Sequence, residues 1–509
     1  MLWISLHLPR LSLESFAATL PLELRQMPLA LVEGHHITQA SASARRLGVK
    51  AGLKRATALG LAPQLVTAPA DPLRDAQALQ SVAHACLAFT PSVVVMPRQV
   101  LLEVQASLRY FGGLEQLLAR LQMALLPLGH AVQIASAPTA QGAALLARLA
   151  TAQGLHCADL RSLHTALAAA PVWLLGPGRE HWEALQGMGL RTIADLLGLP
   201  RAGLARRFSE ALLDELDRAL GQRPDPRVWA SLPPSFETGL ELFARADTTE
   251  QVLHGAVVLL ARLVAWLSAQ HAFVRRYTLT LKHEARWRRD DRETPAHTAL
   301  EITLAAPSRD PEHLLLLLRE RLGHLQLAAP ALELHLRADE IARAPPPNSE
   351  LFPTAQGERE GLTRLVERLQ ARLGRKQVQR PRRVQDHRPE RGTALQDVDA
   401  GAVQPQRPDA PRPARLTEKM SGIVTRPVWL IEPPQPLPEQ RDRPLLDGAP
   451  LQLLSGPERI EAGWWDEALA GRDYFIAQAA DASLVWVYRL RLPSLEVDAH
   501  GWYLHGRFA

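Results

Sequence analysis

The side chains that could do chemistry in this sequence point to phosphate binding more than to metal binding. Arg45, Arg46, Lys50, Lys54 and Arg55 fall within eleven residues. Basic side chains beside a helix N-terminus predict a phosphate site, although a solvated helix face accounts for the same cluster. Gly187 and Gly189 fall between two short helical patterns in LQGMGLRTIADLLGLPRAGLARRF, Leu185 to Phe208. A G-x-G turn of that kind exposes backbone N–H groups that can hold a DNA phosphate without reading sequence. Thr278, Thr280 and Lys282 alternate in YTLTLK and predict one strand face, open either to a nucleic-acid backbone or to solvent. Acids that an enzyme could use with a metal are scattered: Asp71, Asp75 and Glu103. Cys86 and Cys157 lie far apart, without CxxC spacing or nearby His. That argues against a zinc site and a disulfide framework and fits a reducing compartment; neither metal nor cofactor is expected.

The elements that must position these residues change texture along the chain. MLWISLHL ends at Pro9 and reads as a strand, and Leu11–Leu24 as a helix. Leu29–Glu33 reads as a strand, and Ile37 to Leu65 as two short helices around Gly48 and Gly52. Ala76–Leu87 is a predicted helix, followed by two apolar runs, Val93–Met96 and Val100–Val104, joined by Pro97-Arg98-Gln99. Leu114–Leu126 is amphipathic, Ala131–Ser136 is a strand, and Gln141–Ala152 is a helix. This alternation predicts an α/β or α+β domain over residues 1–165. Short helices fill 166–230. Residues 231–342 read strand, helix, strand, strand, helix, strand, a four-stranded sheet with two helices on one face. Residues 343–427 are rich in Pro, Arg, Gln and Asp and read as linker broken by one helix, Glu358–Leu373. Residues 428–509 return to short aromatic strands, a small β-rich domain holding five of the eleven tryptophans, which predicts an aromatic core.

At 509 residues the chain needs several cores. The net charge of +5 is local: Arg372 to Arg391 holds eight Lys/Arg against two acids, a balance of +6, leaving about −1 for the rest. That segment suits either a phosphate backbone, through counterion release, or a solvated linker. No run of 18 apolar residues appears, and the N-terminus lacks a basic n-region or A-x-A site. Neither a membrane span nor a signal peptide is expected, and the expected location is the cytoplasm.

The domain order over residues 1 to about 340 resembles the Y-family translesion DNA polymerases: palm and fingers, a helix-hairpin-helix thumb, and a βαββαβ little finger. In that family the first strand ends in acids and an aromatic pair; SLHLPRLSLE places His7 and Pro9 at the acidic positions. The fingers pattern Tyr-Glu-Ala-Arg before Gly-Val is similar to Ala42-Ser43-Ala44-Arg45 before Gly48-Val49. The second palm motif, Ser-Leu-Asp-Glu-Ala, matches Met96-Pro97-Arg98-Gln99-Val100, with Arg98-Gln99 in place of the acidic pair. Glu103 falls at a position usually acidic but not a metal ligand, and Ala137-Pro138 keeps the family's Ala-Pro. Two-metal phosphoryl transfer needs about three carboxylates converging on ions ~3.5–4 Å apart. Mg²⁺ does not sit on His, Arg and Gln instead. The resemblance therefore implies the fold without the catalytic site.

Ser455 to Phe508, with GWWDEALAGRDYFIAQ, LVWVYR and GWYLHGRF, is similar to the tail of a non-catalytic branch of this family found in the bacterial mutagenesis cassette. Ordinary Y-family polymerases lack it. The resemblance implies an adapter that binds DNA and the β sliding clamp and brings together a RecA-like protein and an error-prone replicative-type polymerase. The clamp peptide it implies matches Asn348-Ser349-Glu350-Leu351-Phe352, with Asn348, Leu351 and Phe352 as anchors. A second match, Gly239 to Phe243, falls in a predicted strand. Two rival readings stay open: an active polymerase using acids such as Asp71, Asp75 or Glu103, and a DNA-binding repair regulator without clamp contact.

Overall fold

Apolar alternation builds the first sheet. In the first strand, β1 (Trp3–His7), Ile4 and Leu6 are fully buried on one side, with Val82, Val100, Leu117 and Leu121. Trp3 packs on the other side with Leu101, Ala135 and Leu145. Both faces are covered, which is why the strands read as nearly continuous apolar runs. The computed structural model describes residues 1–150, 154–284, 295–343, 355–398, 426–427, 429–466, 468–491 and 501–508. They fall into two units, Met1–Phe352 and Pro353–Ala509.

In the first unit, β2 (Leu29–Glu33), β3 (His36–Ala40) and β4 (Val66–Pro69) make a small side sheet, order β3-β2-β4. Ile37 to Ala40 is thus strand where the sequence reading had helix. The two short helices of that reading are shorter, Ala42–Arg46 and Arg55–Leu61, with Gly48 and Gly52 at φ 90 and 88 between them. Leu11–Leu24 is two helices, Leu11–Ala17 and Leu22–Arg25, with Pro21 immediately before the second.

The main sheet adds β5 (Val93–Met96), β6 (Gln99–Glu103), β7 (Gln133–Ala137) and β8 (Leu155–His156), in the order β5-β6-β1-β7-β8. β1 is antiparallel to both β6 and β7. Six α-helices between Leu160 and Leu220 follow, then a connector. The connector is fastened to the main sheet: Trp229 stacks on Trp3 at 5.9 Å, and the Ala230 N–H donates to Val93 O at 2.7 Å.

β9 (Glu237–Ala246), β10 (Phe273–His283), β11 (His297–Ser308) and β12 (Ala331–Ala342) form a four-stranded sheet, order β11-β10-β12-β9, with helices Thr249–Ala269 and Pro311–Gly323. Each strand–helix–strand unit steps over one strand of the other. The Thr249–Ala269 helix is long and apolar enough to cross a membrane, with a mean hydropathy of 1.8. Here it is a core helix: Leu259, Leu263 and Trp266 are buried, and its Arg262 is buried beneath the sheet, bonded to Thr238 Oγ1 and Gly239 O.

The second unit holds the Ala355–Leu373 helix and a hairpin of β13 (Gln379–Arg383) with β14 (Thr393–Asp397). It also holds β15 (Trp429–Leu437), β16 (Glu439–Gln440), β17 (Arg443–Leu446), β18 (Ala449–Pro450), β19 (Gln452–Ala462), β20 (Ala470–Gln478), β21 (Leu484–Leu490) and β22 (Trp502–Arg507). The larger sheet runs β15-β22-β21-β20-β19. The hairpin corrects the reading of 343–427 as linker broken by one helix. It escapes notice because all ten of its strand residues are exposed, so it shows no apolar alternation. The aromatic-core expectation holds for Trp486 and Trp502 but not for Trp429, Trp464 and Trp465, which are exposed.

Candidate functional site

The ends of β1 and of the β5–β6 turn meet. His7 pairs with Gln99 on one side and Gln133 on the other. The turn is Pro97-Arg98; proline presets its first φ, and Arg98 takes φ 60, a region that a side chain with Cβ enters at some cost. Arg98 O accepts from Leu8 N at 2.9 Å, and the Arg98 guanidinium bonds Pro9 O, so the turn folds over the end of β1. Gln99 points the other way. It is fully buried, and its Nε2 donates to Ala144 O at 2.8 Å in the helix Ala140–Leu149. Its Oε1 is buried without a partner among the described residues.

The field here is positive. Burial, then the charges of Arg98 and Arg148, push His7 down to about 4, so it is neutral near pH 7. A contact with the Arg98 backbone opposes this weakly. The two guanidinium charges also disfavour a divalent cation here. Among the described residues, no three His, Cys, Asp or Glu side chains gather as a metal site requires.

The scattered acids lie elsewhere and are engaged. Glu103 pairs with Trp3, four residues along β6 from Gln99, about 13 Å at strand rise. Its Oε1 accepts from Gln105 N at 3.1 Å. Asp71 caps the helix Pro72–Leu87, accepting from Leu73 N and Arg74 N. Asp75 accepts from Ser15 Oγ at 2.7 Å. They do not converge.

The phosphate candidates fare unequally. Arg45, Arg46, Lys50, Lys54 and Arg55 are all exposed, and no ion pair ties them among the described residues. Arg45 and Arg46 lie in the last turn of their helix, whereas Lys54 and Arg55 stand at the N-terminus of the next, Arg55–Leu61, as the sequence suggested. Gly187 ends one helix and Gly189 takes φ 81. The backbone donors of this turn are largely consumed. Gly189 N reaches Gln186 O at 2.9 Å, and Leu190 N reaches Leu185 O at 3.0 Å. Arg191 N and Thr192 N both donate to Asp195, at 2.9 and 2.8 Å. The exposed phosphate donors expected there are therefore internal bonds, formed because Thr192 and Asp195 make a capping box.

Thr278, Thr280 and Lys282 do share the open face of β10. Their cross-strand neighbours make that face acidic. Lys282 Nζ is bonded to Glu333 at 2.9 Å and Thr278 Oγ1 to Asp339 at 2.6 Å. Register also places Glu301, Glu237 and Glu241 on it, against Arg276 and Arg337 as further cations. Asn348, Leu351 and Phe352 lie outside the described residues. The alternative Gly239 to Phe243 is part of β9; Leu240 is buried, while Phe243 is 44% exposed and edge-on to Phe16.

Residues that sequence reasoning missed rivet the sheet to the helices after it. Arg227 pairs with Asp225 and donates to Gln141 Oε1 at 2.8 Å. Gln141 in turn donates to Glu215, which accepts from Gly176 N at 2.9 Å. Arg148, which charges the His7 site, is anchored on Leu174 O at 3.0 Å. No local spacing marks these residues; only the folded register brings them together.

Residues 12–151, which hold the Arg98–Gln99 turn, match the impB/mucB/samB family. Over a longer span the chain is similar to "Protein ImuB" of Caulobacter vibrioides, in two strains, at 29% identity over 474 residues, covering 91% of this chain and 100% of the relative. Similar solved structures include a Dbh ternary complex, with a TM-score of 0.39 at 17% identity, covering 67% of this chain and 99% of that one. DinB from Sulfolobus solfataricus gives a TM-score of 0.37 at 18% identity, covering 67% and 98%.

Proposed function

We propose that this chain is a non-catalytic, Y-family polymerase-like adapter. It binds DNA without sequence preference, engages the β sliding clamp, and recruits an error-prone polymerase for translesion synthesis. The observation that carries this reading is the composition of the β1 and β5–β6 ends. His7, Arg98 and Gln99 stand where the polymerase resemblance calls for metal-binding carboxylates, and the local charge repels cations. Replacing each ligand removes transition-state charge stabilisation, so no phosphoryl transfer is expected.

On this reading residues 1–165, 166–230 and 231–342 correspond to palm with fingers, thumb and little finger. Arg45, Arg46 and Lys50 supply the phosphate contacts, since they are exposed and unpaired among the described residues. Leu351 and Phe352, with Asn348, anchor the clamp. The partners are those of the ImuB system, the replicative-type polymerase ImuC and the RecA-like ImuA, and the location is the cytoplasm, on the nucleoid.

Primer extension by the purified chain, with Mg²⁺ and then Mn²⁺, on intact and abasic templates tests this reading. No product with retained DNA binding is expected, and an Arg98→Asp/Gln99→Glu variant should also be inactive, because His7 and Arg148 remain. A metal-dependent product lost on changing Glu103 would overturn the reading in favour of an active polymerase. Clamp pull-down lost in Leu351→Ala/Phe352→Ala is expected; unchanged pull-down would remove the clamp from the reading.

A further inference from the structure

The second unit carries an arginine ribbon and two exposed indoles to which the adapter reading gives no role. One side chain holds both. Arg388, in the loop between β13 and β14, is 2% exposed. It donates to Asp386 through Nε and Nη2, and to the two oxygens of Asp466 at 2.9 and 2.6 Å. Nη1 also reaches Ala468 O at 3.0 Å, and the guanidinium lies 5.4 Å from the Trp465 ring. The loop end of the ribbon and the turn bearing Trp464 and Trp465 are therefore one assembly. Gly463 permits the approach: its φ is 87, and a Cβ there would stand 2.6 Å from Arg388 Nη1.

Neither feature is explained by folding. A two-stranded ribbon exposed on both faces buries too little to sustain itself. Arg380, Arg382 and Arg383 of the ribbon, and Arg375 and Lys376 in the short helical turn before it, have no ion pair among the described residues, whereas Arg459 and Arg472 on the neighbouring sheet and Arg491 just beyond it are paired. Arg380 and Arg382 share one face, two residues apart, about 7 Å along the strand. Trp464 and Trp465 are 77% and 51% exposed and meet edge to face at 5.2 Å, so neither ring is stacked on a parallel one.

We propose that this assembly binds single-stranded nucleic acid, with Arg380, Arg382 and Arg383 tracking phosphates and Trp464 and Trp465 stacking bases. Unpaired cations and exposed aromatic rings carried on one assembly are the two halves of such a site. A duplex would use the cations and leave the indoles idle, since its bases are already stacked. An acidic peptide would do the same. The inference rests on the adapter reading in taking nucleic acid as the partner, and adds a contact outside the polymerase-like unit.

Anisotropy of a labelled oligo-dT of about 20 nucleotides with the full chain tests it, beside a duplex of equal length. Trp464→Ala/Trp465→Ala should weaken oligo-dT binding roughly 10- to 100-fold, leave its salt dependence unchanged and spare the duplex. Quenching of indole fluorescence by oligo-dT should fall in the same variant. Arg380→Ala/Arg382→Ala/Arg383→Ala should weaken oligo-dT and lower the slope of log K against log salt by about 2. If the wild-type chain binds DNA and the variants match it, in anisotropy and in quenching, this inference fails and the adapter reading stands. Equal loss on duplex, or loss only of a protein partner, also overturns it. No DNA binding at all by the wild-type chain would overturn the adapter reading as well.

Discussion

Gln99 lies directly across the β1–β6 pair from His7 and commits its amide to the carbonyl of Ala144 at 2.8 Å. The side chain at this position is thus part of the packing under a helix, tied in by a donor that a carboxylate lacks.

Gln99→Glu tests that dependence. An ionised carboxylate would face Ala144 O, and about 1–3 kcal/mol of stability should be lost at neutral pH. A buried glutamic acid has a raised pKa, so the protonated form can still donate. The deficit should be smallest below about pH 4 and grow as pH rises through the folded-state value. Urea unfolding at several pH values measures it.

Acid should act through imidazoles. His7, His84 and His505 are each pushed down to about 4, primarily by burial. The unfolded chain takes up protons at each near 6.5 while the folded chain does not. Stability is therefore full above that value and falls as pH drops towards 4. The urea midpoint should track this window, and His84→Leu should flatten it.

The open face of the four-stranded sheet makes a poor seat for phosphates. Lys282→Ala should change DNA affinity by less than about 2-fold, because its charge is already spent on Glu333 in an acidic setting. Anisotropy at two salt concentrations reads the difference.

Much of this was legible in the sequence. β1, the Pro97-Arg98-Gln99 turn and the two interlocked strand–helix–strand units follow from apolar period and turn residues. The acidity of the β10 face was not, because Glu237, Glu241 and Glu301 join Lys282 only through register between strands far apart in the chain. The Gly187–Gly189 turn misled because the consumer of its neighbours' donors, Asp195, lies one helical turn on; Thr192-x-x-Asp195 was a visible capping signal. The β13–β14 ribbon was hidden because Arg388 is fixed by Asp466, 78 residues away.

Arg388→Met should free that ribbon. Two carboxylates, Asp386 and Asp466, lose their shared partner, and the loop loses its hold on the Trp465 turn. Limited proteolysis should cut within 379–397 faster than in the wild type, with cleavage of the first unit unchanged.

Trp266→Ala probes the opposite end of the scale. This side chain is 1% exposed, lies beside Phe236 and donates to Pro233 O at 3.2 Å. Its removal should cost about 3–5 kcal/mol, read as a shifted denaturant midpoint for the first unit.

The bond from Ala230 to Val93 bears on solubility. β5, Val-Val-Val-Met, is the outermost strand of its sheet and carries no charge. Such a margin invites pairing with a foreign chain and growth into aggregates. By bonding Ala230 to Val93, with Trp229 stacked on Trp3, the connector covers the start of this border. Loosening the connector would then show first as precipitation.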